Sequence, residues 1–333
     1  MGDNKIHPYI DGQTVYVAGA SSVGAYNNNT GSLIWKKNIG EVISAGINAS
    51  TNASNGKAQQ IFLGTSNSNA IALNASTGNI QWIERLSSEV LSVSPSKNGR
   101  VVFRTIDGKI HGLSSSTGEL IWQRSQRSPA LTNMGASVPT LVGPLVVSGF
   151  DNGKVAAYNL QTGKPAWEVT LAQPRGRTEL DRIIDVDGKI TSLGNALFAS
   201  SLHGSAMGVN LQSGETAWSK SFSTTTGVSV DPNGLYSSDD KGKIWKFDPQ
   251  TGNPIWSMDD LQRYEPTLPV LVSASKLVVA DKKGNIHFIN ATNGKFIARS
   301  KGDPRGYSVE PEVVGNSIYA IGKGGVLTKI SLR

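Results

Sequence analysis

The strongest constraint on this chain is a phrase that returns eight times: a turn with Gly or Asn, a short apolar strand, a polar turn, then usually a Gly followed four residues later by Trp. The clearest copy is Asp151 to Trp167, DNGKVAAYNLQTGKPAW. Aligned on the glycine, Trp35, Trp82, Trp122, Trp167, Trp218 and Trp256 follow Gly31, Gly78, Gly118, Gly163, Gly214 and Gly252. A seventh copy keeps Gly294 but carries Ala298 in the Trp slot, and an eighth begins at Gly325 and reaches Arg333 before its glycine. A repeat of roughly forty residues built from short β-like segments signals a propeller or an array, and it overrides a length-based guess of two or three domains.

Each repeat reads as four antiparallel strands. Ile6 to Gly19 gives two strands joined at Asp11-Gly12, and SSVGAYNNNTGSLIW adds a third and a fourth ending at Trp35. The first-and-second-strand phrase recurs at Asn98 to Thr105, Pro139 to Gly149, Lys189 to Ser200, Val228 to Ser237, Pro269 to Ala280 and Glu310 to Gly322. Third strands such as IALNA, VAAYN and IHFIN carry apolar residues on both alternating faces, which a sheet sandwiched between two neighbours requires. A lone four-stranded sheet of this size buries too little apolar surface, whereas stacking gives each sheet two partners and ring closure leaves no uncapped end. The expected fold is therefore all-β: an eight-bladed β-propeller of four-stranded antiparallel blades, one domain spanning residues 1–333. The recurring Trp is expected to fill the gap between blades, its indole N–H reaching a neighbouring carbonyl. The last blade, Ser308 to Arg333, is expected to lack its outer strand.

Two stretches break the period. Asn48 to Gln60, NASTNASNGKAQQ, reads as a polar surface loop. Gln173 to Gly188 sets Arg175, Arg177 and Arg182 with Glu179, Asp181, Asp185 and Asp187 around aliphatic residues, a mixture suited to a docking surface.

Composition removes several function classes. The chain has no cysteine, which excludes disulfides, thiolate metal sites and thiol nucleophiles. Its formal charge of +7 comes from Lys and Arg scattered through the repeats, without the basic run or interleaved aromatics of a nucleic-acid module. No stretch is long and apolar enough to cross a bilayer as a helix, and Met1-Gly2-Asp3 opens without a basic and apolar leader. His7, His111, His203 and His287 do not have zinc spacing. Asp231-Pro-Asn233-Gly and Asp239-Asp240-Lys-Gly lack the ligand run of a calcium loop. No G-x-S-x-G is present. No catalytic residue, metal or cofactor is expected.

The order HPYIDGQTVYVAG, MGASVPTLV, GRTELDRIIDVDG and EPEVVGNSIYAIGKGG resembles the BamB family of quinoprotein-like propeller lipoproteins, most specifically over Thr178 to Gly188. The resemblance covers nearly the whole chain. It implies a non-enzymatic scaffold at the periplasmic face of the outer membrane, binding the POTRA domains of BamA and assisting unfolded outer-membrane proteins. The family's lipid-bearing cysteine, its membrane anchor, matches nothing here. Two loops carry the family's BamA contact. One matches Leu131 to Gly135, with Asn133 in place of a leucine and Met134 in place of an arginine. The other matches Asp181 to Asp187, including Arg182, with the family's aspartates at Asp185 and Asp187. Competing readings are a quinone-dependent dehydrogenase, which the missing cysteines and short chain disfavour, and a general periplasmic peptide- or glycan-binding propeller.

Overall fold

The computed structural model describes residues 6–126, 137–173 and 184–332. It is an all-β, eight-bladed β-propeller whose strands pair antiparallel with their neighbours in sequence. Seven sheets have four strands, from Tyr9–Ile10, Thr14–Ala18, Ser22–Asn27 and Leu33–Asn38 in the first blade to Val270–Ser273, Lys276–Ala280, Asn285–Asn290 and Phe296–Lys301 in the seventh. The eighth has three, Glu312–Val314, Ser317–Ile321 and Leu327–Ser331, with no outer fourth strand among the described residues. The chain groups into two compact units: Met1–Ser128, Val138–Val147 and Ala157–Pro165, and Pro129–Ser137, Ser148–Ala156 and Ala166–Arg333.

Within each unit the cores lie between consecutive sheets, and strand pleating explains how one sheet serves two cores. Successive side chains of a strand point to opposite faces. In the second blade, Ile61 and Leu63 pack with Tyr16, Val23 and Ala25 of the first, while the intervening Phe62 packs with Val101 and Phe103 of the third. The seventh blade repeats the division: Leu277 and Val279 join Tyr236 and Ile244 of the sixth, and Val278 and Ala280 join Ile318 and Ala320 of the eighth. The third strands Asn69–Asn74 and Asn285–Asn290 of these two blades are accordingly buried on both faces, whereas their fourth strands are largely exposed.

The turn before each fourth strand accounts for the rest of the repeat. Asn74 Oδ1 accepts from the amides of Ser76 and Thr77, and Gly78 N donates to Asn74 O at 2.8 Å. Asn159, Asn210, Asp248 and Asn290 build the same side-chain-capped turn. A register shift then places the Trp of the fourth strand opposite a small residue of the third, as in Ala25↔Trp35, Ala72↔Trp82, Gly112↔Trp122 and Gly208↔Trp218. Each indole reaches the following repeat. Nε1 of Trp35 donates to Ala75 O at 2.9 Å, Trp82 to Ser115 O at 2.9 Å and Trp122 to Leu160 O at 2.9 Å. Trp167 donates to Leu211 O at 2.8 Å, Trp218 to Pro249 O at 2.9 Å and Trp256 to Ala291 O at 3.1 Å. The repeat glycine is the other half of this joint. Gly163 has φ +66°, and a Cβ there would lie 2.6 Å from Trp122 Cδ2. In the seventh blade the large ring changes strand, because Phe288 pairs with Ala298 and packs with Tyr307 and Ile318.

Two expectations are corrected. Asn48 to Gln60 is mostly strand: Ile43–Thr51 pairs with Ala58–Thr65, leaving only a short turn in which Gly56 N donates to Asn52 O at 2.8 Å. Burial alternates along Ile43–Thr51, and Asn48 Nδ2 donates to Val93 O at 2.7 Å, so polar composition hid a regular strand. The third blade's first strand is Val90–Val93, upstream of Asn98, which belongs to the tight turn closed by Lys97 and Arg100.

Trp122 is 6% exposed, so Trp122→Ala removes a buried indole and strands the Leu160 carbonyl. Denaturant unfolding of this variant is expected to show a loss of about 3–5 kcal/mol, whereas a loss below about 1 kcal/mol would show that the seam is not held by the indole.

Candidate functional site

The fourth blade's second strand, Leu145–Gly149, runs into a tight turn in which Phe150 N donates to Lys154 O at 2.9 Å and Gly153 N to Phe150 O at 3.0 Å. Two connectors end beside this turn. Ser137, which follows the first, is buried, and its Oγ accepts from Gly149 N at 3.1 Å. Val186, in the second, lies so close that a Cβ on Gly149 would be 2.3 Å from its carbonyl oxygen. Only glycine permits this approach.

The second connector is stitched down on both sides of Val186. Leu202 N donates to Asp185 O at 2.9 Å, Lys189 N to Thr226 O at 3.2 Å and Val228 N to Lys189 O at 3.0 Å. Val186 packs against Gly149, and Asp185 and Asp187 on either side of it are buried as well. There they meet Asp151, from the turn after Gly149, and the three carboxylates each present an oxygen within 4.8 Å of the others.

Asp185 and Asp187, expected to contact a partner, are 1% and 7% exposed. Leu131, Asn133, Met134, Asp181 and Arg182 lie outside the described residues. Asp151 was missed as a candidate: in sequence it is one more polar residue before an Asn-Gly turn, and only the connector above it gives it neighbours.

Of the four histidines, His111 and His287 are buried. His287 is 1% exposed, its Nε2 2.7 Å from Asp281 Oδ2, with Tyr264 edge-on at 6.1 Å. Burial works to raise the Asp281 carboxyl, but hydrogen bonds from His287 and Asn285 outweigh it and hold the group below the usual carboxylate range. A groove of about 450 Å³ lined by Leu261, Tyr264, His287, Phe296 and Ala298 adjoins the pair, and no Ser, Thr or Cys is among its described lining residues. His111 Nε2 lies 3.1 Å from Thr105 Oγ1. His203 sits in a turn with φ +52°. Asp231 and Asp239 cap their own turns, Asp239 accepting from the amides of Lys241 and Lys243 and from Trp245 Nε1.

The matching model for residues 19–258 is described as outer membrane protein assembly factor BamB. The chain belongs to the BamB family. The BamB of Pseudomonas aeruginosa is 33% identical over 99% of this chain and 85% of its own length. The crystal structure of BamB from Moraxella catarrhalis is similar with a TM-score of 0.89 and 26% identity, covering 99% of this chain and 97% of that one. A europium-containing methanol dehydrogenase shares the fold, with a TM-score of 0.74 over 97% of this chain and 81% of its own. At 12% identity that likeness is of fold alone. No helix among the described residues of this BamB-family chain is long and apolar enough to cross a membrane.

Burial pushes His111 down to about 4, against an opposing pull from Asp107. Its folded value is below the ordinary value of about 6.5, so between these limits the unfolded chain binds the proton more readily and stability rises with pH. Urea midpoints measured across this range should fall as pH drops from about 6.5 toward 4, and His111→Gln should flatten that slope. An unchanged slope would assign the acid sensitivity to other groups.

Proposed function

We propose that this chain is a non-enzymatic scaffold subunit of an outer-membrane β-barrel assembly complex, acting as one propeller domain at the periplasmic face of the outer membrane. It docks on the POTRA domains of a BamA-type barrel subunit and assists incoming unfolded outer-membrane proteins; the family resemblance implies an N-terminal lipid anchor in the full-length protein, on a cysteine that is not among these residues. The observation that carries this reading is the near-full-length match to an outer membrane protein assembly factor.

The geometry around Gly149 supports the docking surface. Two residues far apart in sequence, Ser137 and Val186, meet at the same glycine. The connector with Leu131, Asn133 and Met134 and the connector with Asp181 and Arg182 are therefore tethered at neighbouring points. Aliphatic and mixed-charge residues on neighbouring loops suit an interface with an apolar centre and a steering rim. Asp181, Arg182, Asp185 and Asp187 lie on the second connector and carry its share of the contact, Asp185 and Asp187 being buried in the free chain.

Titration calorimetry of the chain with isolated BamA POTRA domains tests the reading. Leu131→Asp, and separately Asp181→Ala with Arg182→Ala, should weaken binding at least about tenfold, equivalent to about 1.4 kcal/mol, with the melting temperature unchanged. Full affinity in both variants would move the interface elsewhere, and no binding by the wild-type chain would sink the scaffold reading.

A further inference from the structure

The carboxylates beneath the second connector have no role in the repeat. Asp151 is 3% exposed, Asp185 1% and Asp187 7%, so three acidic side chains are withdrawn from solvent in a protein of low charge content. The burial sets this turn apart from its counterparts. By the shared backbone hydrogen bonds, Phe150 occupies the position of Asp239 and Asp281 in the sixth and seventh blades, and Asp151 that of Asp240 and Lys282. Asp240 and Lys282 are exposed. Of these three blades only the fourth buries an acid there, and it does so under a segment that brings two more.

Asp187 decides what the cluster requires. It is more than nine-tenths buried, neither of its carboxylate oxygens has a hydrogen-bond partner among the described residues, and it lies against the other two carboxylates. Asp151 and Asp185 have further interactions of their own, so the argument rests on Asp187. A buried carboxylate left without a hydrogen bond and placed beside two others is strongly unfavourable unless a positive charge joins them.

We propose that Asp151, Asp185 and Asp187 form a binding site for a hard divalent cation of the calcium class. Calcium takes 6–8 oxygen ligands at about 2.3–2.6 Å, so oxygens on opposite sides of the ion lie about 4.8 Å apart. The separation of the three carboxylates falls within that limit. Magnesium, with bonds of about 2.0–2.1 Å and a strict octahedron, fits a set of three carboxylates on two separate segments less well. The ligand atoms are all oxygen, which selects against metals that favour imidazole or thiolate. The bound ion would join the turn after Gly149 to the connector above it and clamp residues 184–187 in place. This inference stands apart from partner binding, and its test does not use a partner.

The chain is stripped with a chelator and titrated calorimetrically with calcium chloride, then with magnesium chloride, and its melting temperature is compared in calcium and in chelator. One saturable calcium site, weaker response to magnesium and a higher melting temperature in calcium are expected. Asp187→Asn and Asp151→Asn, checked for folding by circular dichroism, should each lower calcium affinity at least tenfold. No saturable heat with the wild-type chain, together with equal melting temperatures in calcium and chelator, overturns the proposal. So does undiminished calcium affinity in folded Asp187→Asn, which would place the ion elsewhere. If one variant does not fold, the wild-type titration and the other variant still decide.

Discussion

The bond from an indole N–H to the backbone of the following repeat is the interaction on which the rest of the structure depends. It explains why three residue types recur together. The capped Asn turn presents its glycine to the preceding blade, the glycine leaves room for that blade's indole ring, and the register shift in the fourth strand aims the next indole onward. Trp82 shows the joint in full. Its ring lies 5.9 Å from Phe62 of its own blade and 6.4 Å from Phe103 of the next, and its Nε1 reaches Ser115 O. Each seam therefore combines buried aromatic area with a satisfied polar group, and neither the Trp nor the following Gly can change alone.

That coupling is also why the fold was legible. A joint made from fixed residue types at fixed offsets leaves a periodic mark in the sequence, and strands buried on both faces leave apolar runs between the marks. Legibility failed where composition and pattern disagreed. Asn48 to Gln60 is polar enough to read as a loop, yet alternate residues of Ile43–Thr51 are buried and its Asn48 bonds across to Val93. Ala298 was visible as an exception to the Trp rule, but its compensation was not, because Phe288 becomes its partner only through strand pairing.

The candidate site was legible in part for the same reason. Asp185 and Asp187 stand two residues apart, and an extended chain places such residues on one side, so their common orientation could be read locally. Which side faces solvent could not. Their burial beside Asp151 brings together residues separated by two strands and a connector. Asp151 had no sequence signal at all, since its burial is produced entirely by what lies above it.

Comparison of equivalent turns shows how a repeat position becomes available for a new use. In the sixth and seventh blades the turn carboxylate is satisfied locally, Asp239 by two backbone amides and an indole, Asp281 by two amides and His287. In the fourth blade Phe150 fills that position, and the turn closes through the same backbone bonds with Asn152 Oδ1, in place of a carboxylate, accepting from Lys154 N at 3.2 Å. Asp151 stands at the position of Asp240 and Lys282, outside the cap. A propeller blade tolerates a changed turn cap because its strands and seams hold it from both sides, whereas an isolated hairpin would depend on that cap. The redundancy of the architecture is what permits an acidic residue at a position that is solvent-exposed in the sixth and seventh blades to be covered by a connector in the fourth.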